Sequence, residues 1–188
     1  MTTDAVKKYF QRKAIDYSQK QSGWFWQVLR RREEKIVMEM LGNVSGIDVL
    51  ELGCGSGYYA KKLNKLGAKN VVAVDQCREM ISNIEIDGIT AVVGSAESIC
   101  LDQRFDLILA VGLLEFVPDP LAVLKNAFTH ADQDSILVVM VPTSSICSIF
   151  YAAFHKSHGI SIRQYDEIFI CDLLNQAGWI KNRVRKTG

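Results

Sequence analysis

The residues best suited to chemistry are Gly53, Gly55 and Gly57 in "ELGCGSGYY", with Glu51 two positions ahead of the first glycine. Such a turn lets backbone approach a ligand that side chains would keep away. Eighteen residues past Gly57, Asp75 closes an apolar run, where a carboxylate can accept two hydrogen bonds from a ribose diol. The spacing is G-x-G-x-G, not the G-x-G-x-x-G of dinucleotide enzymes, which disfavours a nucleotide-dependent oxidoreductase. The bland alternatives are an ordinary strand-to-helix turn for the glycines and a helix cap for Asp75.

These residues need a scaffold that brings them to one edge. Apolar runs at 47–52, 70–75, 90–94, 105–111 and 135–141 lack strict alternation, as expected of strands covered on both faces. Helix-patterned stretches lie between them. "SGYYAKKLNKLG" starts at a serine and stops at Gly67, and in "DPLAVLKNAFTHA" Asp119 caps, Pro120 opens, and Leu121, Leu124, Phe128 and Ala131 share a face. The pattern predicts an α/β fold, a doubly wound, mostly parallel sheet with helices on both faces.

Three parts are expected within one domain: an N-terminal helical cap (1–42), a core (43–141), and a lid with the C-terminal part (142–188). In the cap, Ile36, Val37, Met40 and Leu41 form a stripe ending at Gly42. In the lid, Ile146, Ile149, Phe150, Ala153 and Phe154 fall on one face of a helix over 144–156. A helix over about 166–177 ends at Gly178, and "WIKNRV" reads as a sixth strand.

A chain of 188 residues with net charge +1 and 48% apolar residues is neither a disordered segment nor a globally basic polyanion binder. It has no run of eighteen apolar residues and no leader-like N-terminus, so a cytoplasmic protein with no membrane span is expected. Cys54, Cys77, Cys100, Cys147 and Cys171 lie far apart, consistent with reduced thiols and no metal site.

The series "VLELGCGSG", "VVAVDQCREMI", "VVGSAES" and "FDLILAVGLLEFVPDP" resembles the class I S-adenosylmethionine-dependent methyltransferases over residues 47 to about 141. The N-terminal "YFQRKAIDYS" is similar to the entry segment of small-molecule members such as those of ubiquinone and menaquinone biosynthesis. The resemblance implies S-adenosyl-L-methionine as cofactor and methyl transfer to a small-molecule acceptor at oxygen, nitrogen or carbon by in-line displacement. The implied cofactor set is Tyr17, Glu51, Gly53, Cys54, Gly55, Gly57, Asp75, Gln76, Met80, Ser95, Ala96, Glu97, Val111 and Gly112. Within it the glycine loop lies beside the methionine moiety, Asp75 with Gln76 holds the ribose, Ser95 with Ala96 borders the adenine, and Val111 to Leu113 line the methionine end. Tyr17 helps to close the site.

Two departures stand out. Ser95 occupies a position where the family commonly has aspartate, so Glu97 could supply the bond to the adenine amino group. Phe116 stands where many relatives have a histidine. A non-catalytic cofactor-binding or partner-binding protein on the same fold is therefore the alternative. Nucleic-acid methylation is disfavoured, since no "N-P-P-Y"-like motif or broad basic stripe is present. The family's sheet closes with a further antiparallel strand for which no residues remain, so the expected fifth strand has an open edge and the expected assembly is a homodimer.

Candidate bases are Tyr17, Glu115, His155 and His158. The plainer expectations are solvated helix-end positions for both histidines, a helix-dipole contact for His130, and loop positioning by Glu115. The aromatic set Trp24, Phe25, Trp26, Phe150, Tyr151 and Phe154 forms either core or the wall of an apolar acceptor site.

Overall fold

Side chains that alternate between two buried faces build the centre of the molecule. In the computed structural model, which describes residues 3–14, 24–82, 84–143, 146–181 and 183–185, β1 (Asp48–Leu52) sends Val49 to one face and Leu50 and Leu52 to the other. β2 (Asn70–Asp75) and β4 (Phe105–Val111) divide their residues the same way, with Val71, Ala73, Leu107 and Leu109 opposite Val72, Val74 and Ile108. Helices must therefore cover both faces. Each such valine, leucine or isoleucine contributes about 1.5–3 kcal/mol when fully buried.

β3 (Ile89–Val93) and β5 (Ala131–Met140) complete a five-stranded sheet in the order β3-β2-β1-β4-β5, and every pairing is parallel. The chain winds outward from β1 to β3, then returns to start β4 on the other side of β1. The switch point thus lies between the C-terminal ends of β1 and β4, where open α/β sheets form a crevice. The expected doubly wound fold is present.

One face carries α2 (Trp24–Leu41), with Val37 and Leu41 buried, and α3 (Tyr58–Lys65), with Ala60 and Leu63 buried. The short α4 (Arg78–Ile81) adds Ile81 there. The opposite face carries α5 (Pro120–Thr129) and α7 (Glu167–Gln176). A third, smaller cluster joins α1 (Thr3–Ala14) to Phe116 and α6 (Ile146–Ser157) through Val6, Tyr9, Ile160, Phe10 and Tyr151. No described helix is long and apolar enough to cross a membrane.

Several local expectations are corrected. The N-cap of α3 is Gly57 at φ 75°, not the serine, and the missing side-chain cap is replaced from β1, where Glu51 Oε2 accepts the Ala60 N–H at 2.8 Å. The buried face of α5 is Pro120, Val123, Leu124 and Ala127. Phe128 turns away to meet Trp179 edge to face, because it covers the chain at Gly178. β5 begins at Ala131, four residues earlier than expected, through a register irregularity in which Ser135 Oγ donates to Phe105 O. Residues 179–181 and 183–185 form no strand, since the Trp179 indole donates to Leu124 O and holds that segment against α5.

Candidate active site

The glycine turn is built almost wholly from backbone hydrogen bonds. Gly53 N and Cys54 N both donate to Val74 O, and Gly57 N donates to Cys54 O. Asp75 then clasps the turn from β2: Oδ2 accepts Gly55 N–H and Oδ1 accepts Cys77 N–H, each at 2.8 Å. An ionised carboxylate has about four lone-pair sites, so two oxygens engaged once each can still receive a diol. Burial holds the Asp75 carboxyl above its usual range, opposed by these two N–H groups.

The glycines act differently from the expectation. A Cβ at Gly53 would come within 2.7 Å of Leu113 Cδ1, and one at Gly57 within 2.6 Å of Ile84 Cδ1. Their positive φ of 72° and 75° adds strain for any other residue. At both positions it is the protein's own packing that forbids a side chain. Gly53 and Gly55 still present main chain to a cleft of about 1470 Å³, whereas Gly57 is not among its lining residues.

Glu51, only 3% exposed, lies beneath the turn. Burial pushes its carboxyl up to about 8, against the Ala60 N–H and with help from the Asp75 charge. The next segment along the crevice is tied internally: Ser95 Oγ donates to Glu97 Oε2 at 3.2 Å, and Glu97 Oε1 accepts Asp119 N–H at 3.1 Å. Glu51, Cys54, Asp75, Gln76, Met80, Ser95, Ala96, Glu97, Val111 and Gly112 all line the same cleft. Tyr17 lies outside the described residues, as do the side chains of Trp24, Phe25, Trp26 and Phe150.

At its other end the cleft has aromatic walls. His155 is 7% exposed and sits among Tyr151, Phe116, Tyr9 and Phe154 with ring centroids at 4.5, 5.3, 5.6 and 5.6 Å. The expected solvated position holds for His158 but not for His155, because rings from α1 and the segment after β4 close over it. His130 is also buried, its Nε2 accepting Leu101 N–H at 3.0 Å while Nδ1 faces Asn126 O at 2.8 Å. Those contacts fix the proton on Nδ1 and explain the residue structurally. Among the described residues no three His, Cys, Asp or Glu side chains gather as a metal site.

Glu115 is 4% exposed, lines the cleft, and has no hydrogen-bond partner for Oε2 among the described residues. Burial pushes its carboxyl up to about 8; the Glu33 charge adds to this, while its own backbone N–H and Tyr151 oppose it. Below, Tyr165 is fully buried and donates from its hydroxyl to Leu114 O at 2.8 Å, pinning the loop that carries Glu115. Tyr9 and Phe10 belong to the entry segment quoted above without being read there as site residues, although Val6, Tyr9 and Phe10 show the i, i+3, i+4 spacing of one helical face. Nothing in the sequence marks Tyr165 or Ile84.

Comparison with known proteins agrees with this geometry. The profile of a family described as methyltransferase domain matches residues 25–180. The malonyl-acyl-carrier protein O-methyltransferase of Bacillus cereus is 28% identical over 127 residues, covering 65% of this chain and 47% of that protein. A ubiquinone biosynthesis O-methyltransferase of Xanthomonas oryzae is 31% identical over 91 residues, covering 44% and 38%. The chain thus spans less than half the length of these two curated relatives. Among solved structures, a Thermotoga maritima S-adenosylmethionine-dependent methyltransferase, described as a possible histamine N-methyltransferase, superposes with TM-score 0.75 at 23% identity, covering 94% of this chain and 82% of that one. The Synechocystis magnesium protoporphyrin IX methyltransferase with bound S-adenosylhomocysteine gives 0.72 at 18% identity, covering 94% and 89%. The chain belongs to the family described as methyltransferase domain.

Proposed function

We propose that the protein transfers the methyl group of S-adenosylmethionine to a small-molecule acceptor by in-line displacement. The carrying observation is one cleft at the switch point, with the Asp75 clasp and open main chain at one end and aromatic walls at the other. The family placement and the O-methyltransferase relatives support the same reading. S-adenosylmethionine supplies a methyl group already activated on a sulfonium.

This chain's residues then bind and orient. Asp75 takes the ribose hydroxyls, the Ser95–Ala96 segment borders the base, and the main chain from Val111 to Leu113 flanks the amino-acid end. The aromatic wall excludes water and sets the acceptor's approach. Alignment of this kind supplies roughly 7–11 kcal/mol of barrier lowering in well-oriented systems.

Calorimetry with S-adenosylhomocysteine and a panel of small acceptors with labelled donor test the proposal. Ligand binding without turnover of any acceptor would favour the non-catalytic alternative. The four described cysteines are free thiols, which supports a reducing compartment such as the cytoplasm. β5 has one unpaired edge among the described residues, which supports a homodimer; a monomeric sedimentation profile rejects it.

A further inference from the structure

We propose that the aromatic-walled end of the cleft receives a planar phenol, and that Glu115 accepts the phenolic proton as the methyl group is transferred. This rests on the methyl-transfer reading above. Its geometric ground is the pairing of a deeply buried carboxyl, one oxygen of which lacks a partner among the described residues, with a wall of rings beside it. A buried acceptor atom left without a partner is costly, and a ligand donor would relieve that cost.

The wall selects shape. Tyr9, Phe10, Phe116, Tyr151 and His155 come from α1, the loop after β4, and α6, and meet at centroid distances of 4.5–5.6 Å. An aromatic guest gains from each favourable ring pair beyond simple burial.

The charges select chemistry. Glu115 is faced by Glu33 from α2, by Tyr151 from α6, and by Arg163 and Tyr165 from the segment before α7. Arg163 meets it through main chain, N–H to Glu115 O at 3.1 Å, while its guanidinium donates to Pro118 O. A carboxylate acceptor would bring a second negative charge beside Glu33, and it needs no base. An aliphatic hydroxyl is far too weak an acid for this base. Glu115, held near 8, lies within about two units of a phenol, whose ordinary value is about 10. A protonated amine would be held by the Glu33 charge with its lone pair blocked.

In the step, the phenolic O–H bond breaks and its proton passes to the Glu115 carboxylate. The oxygen's electron pair forms the new O–CH₃ bond, and the pair of the C–S bond returns to sulfur, leaving a neutral thioether. The resulting carboxylic acid then releases its proton to water.

The test uses the full chain with 4-nitrophenol, 4-nitrobenzoate and benzylamine as probes, and begins with S-adenosylhomocysteine calorimetry on wild type and Glu115→Gln. With that ligand bound, wild type should bind 4-nitrophenol and enhance its phenolate absorbance. Glu115→Gln should keep both affinities within about threefold, lose the enhancement, and methylate phenols about 10²–10⁴-fold more slowly. Equal absorbance and turnover in the variant, or preferred binding of the benzoate or the amine, would overturn the inference. Absent S-adenosylhomocysteine binding by wild type overturns the donor reading itself, whereas normal binding of it with phenol refused overturns only the acceptor class. Retained S-adenosylhomocysteine affinity in the variant also shows that it is folded.

Discussion

The two ends of the cleft are made by different means. The end proposed for the donor is built from a contiguous stretch and its neighbouring strand: the N–H groups of Gly53, Cys54, Gly55, Cys77 and Ala60 all have acceptors, and Glu51 and Asp75 serve structural bonds. The acceptor end is assembled from rings lying far apart in the chain, with one carboxyl oxygen lacking a partner among the described residues. Satisfied backbone makes a site rigid and general, whereas packed side chains make it specific and replaceable.

The sharpest way to break this contrast is Phe116→Ala. Removing a ring that is 8% exposed from the acceptor wall should lower unfolding stability by about 3–5 kcal/mol in urea titrations, yet leave S-adenosylhomocysteine affinity within about threefold. Loss of both together would show that the two ends are one unit.

Next comes pH. Glu51 and Glu115 both hold their protons up to about 8 against an ordinary 4.5, so the folded state binds more protons than the unfolded one between those values. Stability is then fully present below about pH 4.5 and is lost as pH rises through 8, by on the order of a few kcal/mol in all. Glu51→Gln and Glu115→Gln should each flatten that decline in denaturant melts taken across the range. An unchanged slope in both variants would place the effect elsewhere.

Asp75→Ala addresses the donor end alone. It should weaken S-adenosylhomocysteine by about 1–3 kcal/mol in calorimetry while phenol binding stays within about threefold. Unchanged affinity removes the ribose assignment. The smallest effect belongs to a residue outside both ends: Lys69, which pairs with Asp48 at 3.1 Å on the surface, should give at most about 1 kcal/mol when replaced by alanine.

The donor end was legible in the sequence because its signals are local. Continuous apolar runs bound the strands at 70–75 and 105–111, and the place of Asp119 before Pro120 marks it as a cap. Legibility failed where a distant partner decided the outcome. Phe128 fits a helical stripe equally well toward the sheet, and only Gly178 and Trp179, some fifty residues on, draw it aside. His155 looked like a polar residue at a helix end until Tyr9 and Phe116 enclosed it. Periodicity reports which face is apolar but not what will cover it.

The Asp75 clasp also bears on the order of events. Since the carboxylate already fastens Gly55 to Cys77, the turn proposed to take the nucleoside is set during folding and leaves little to arrange on encounter. Loading of the proposed donor should therefore be quick and indifferent to whether the ring-lined chamber is filled.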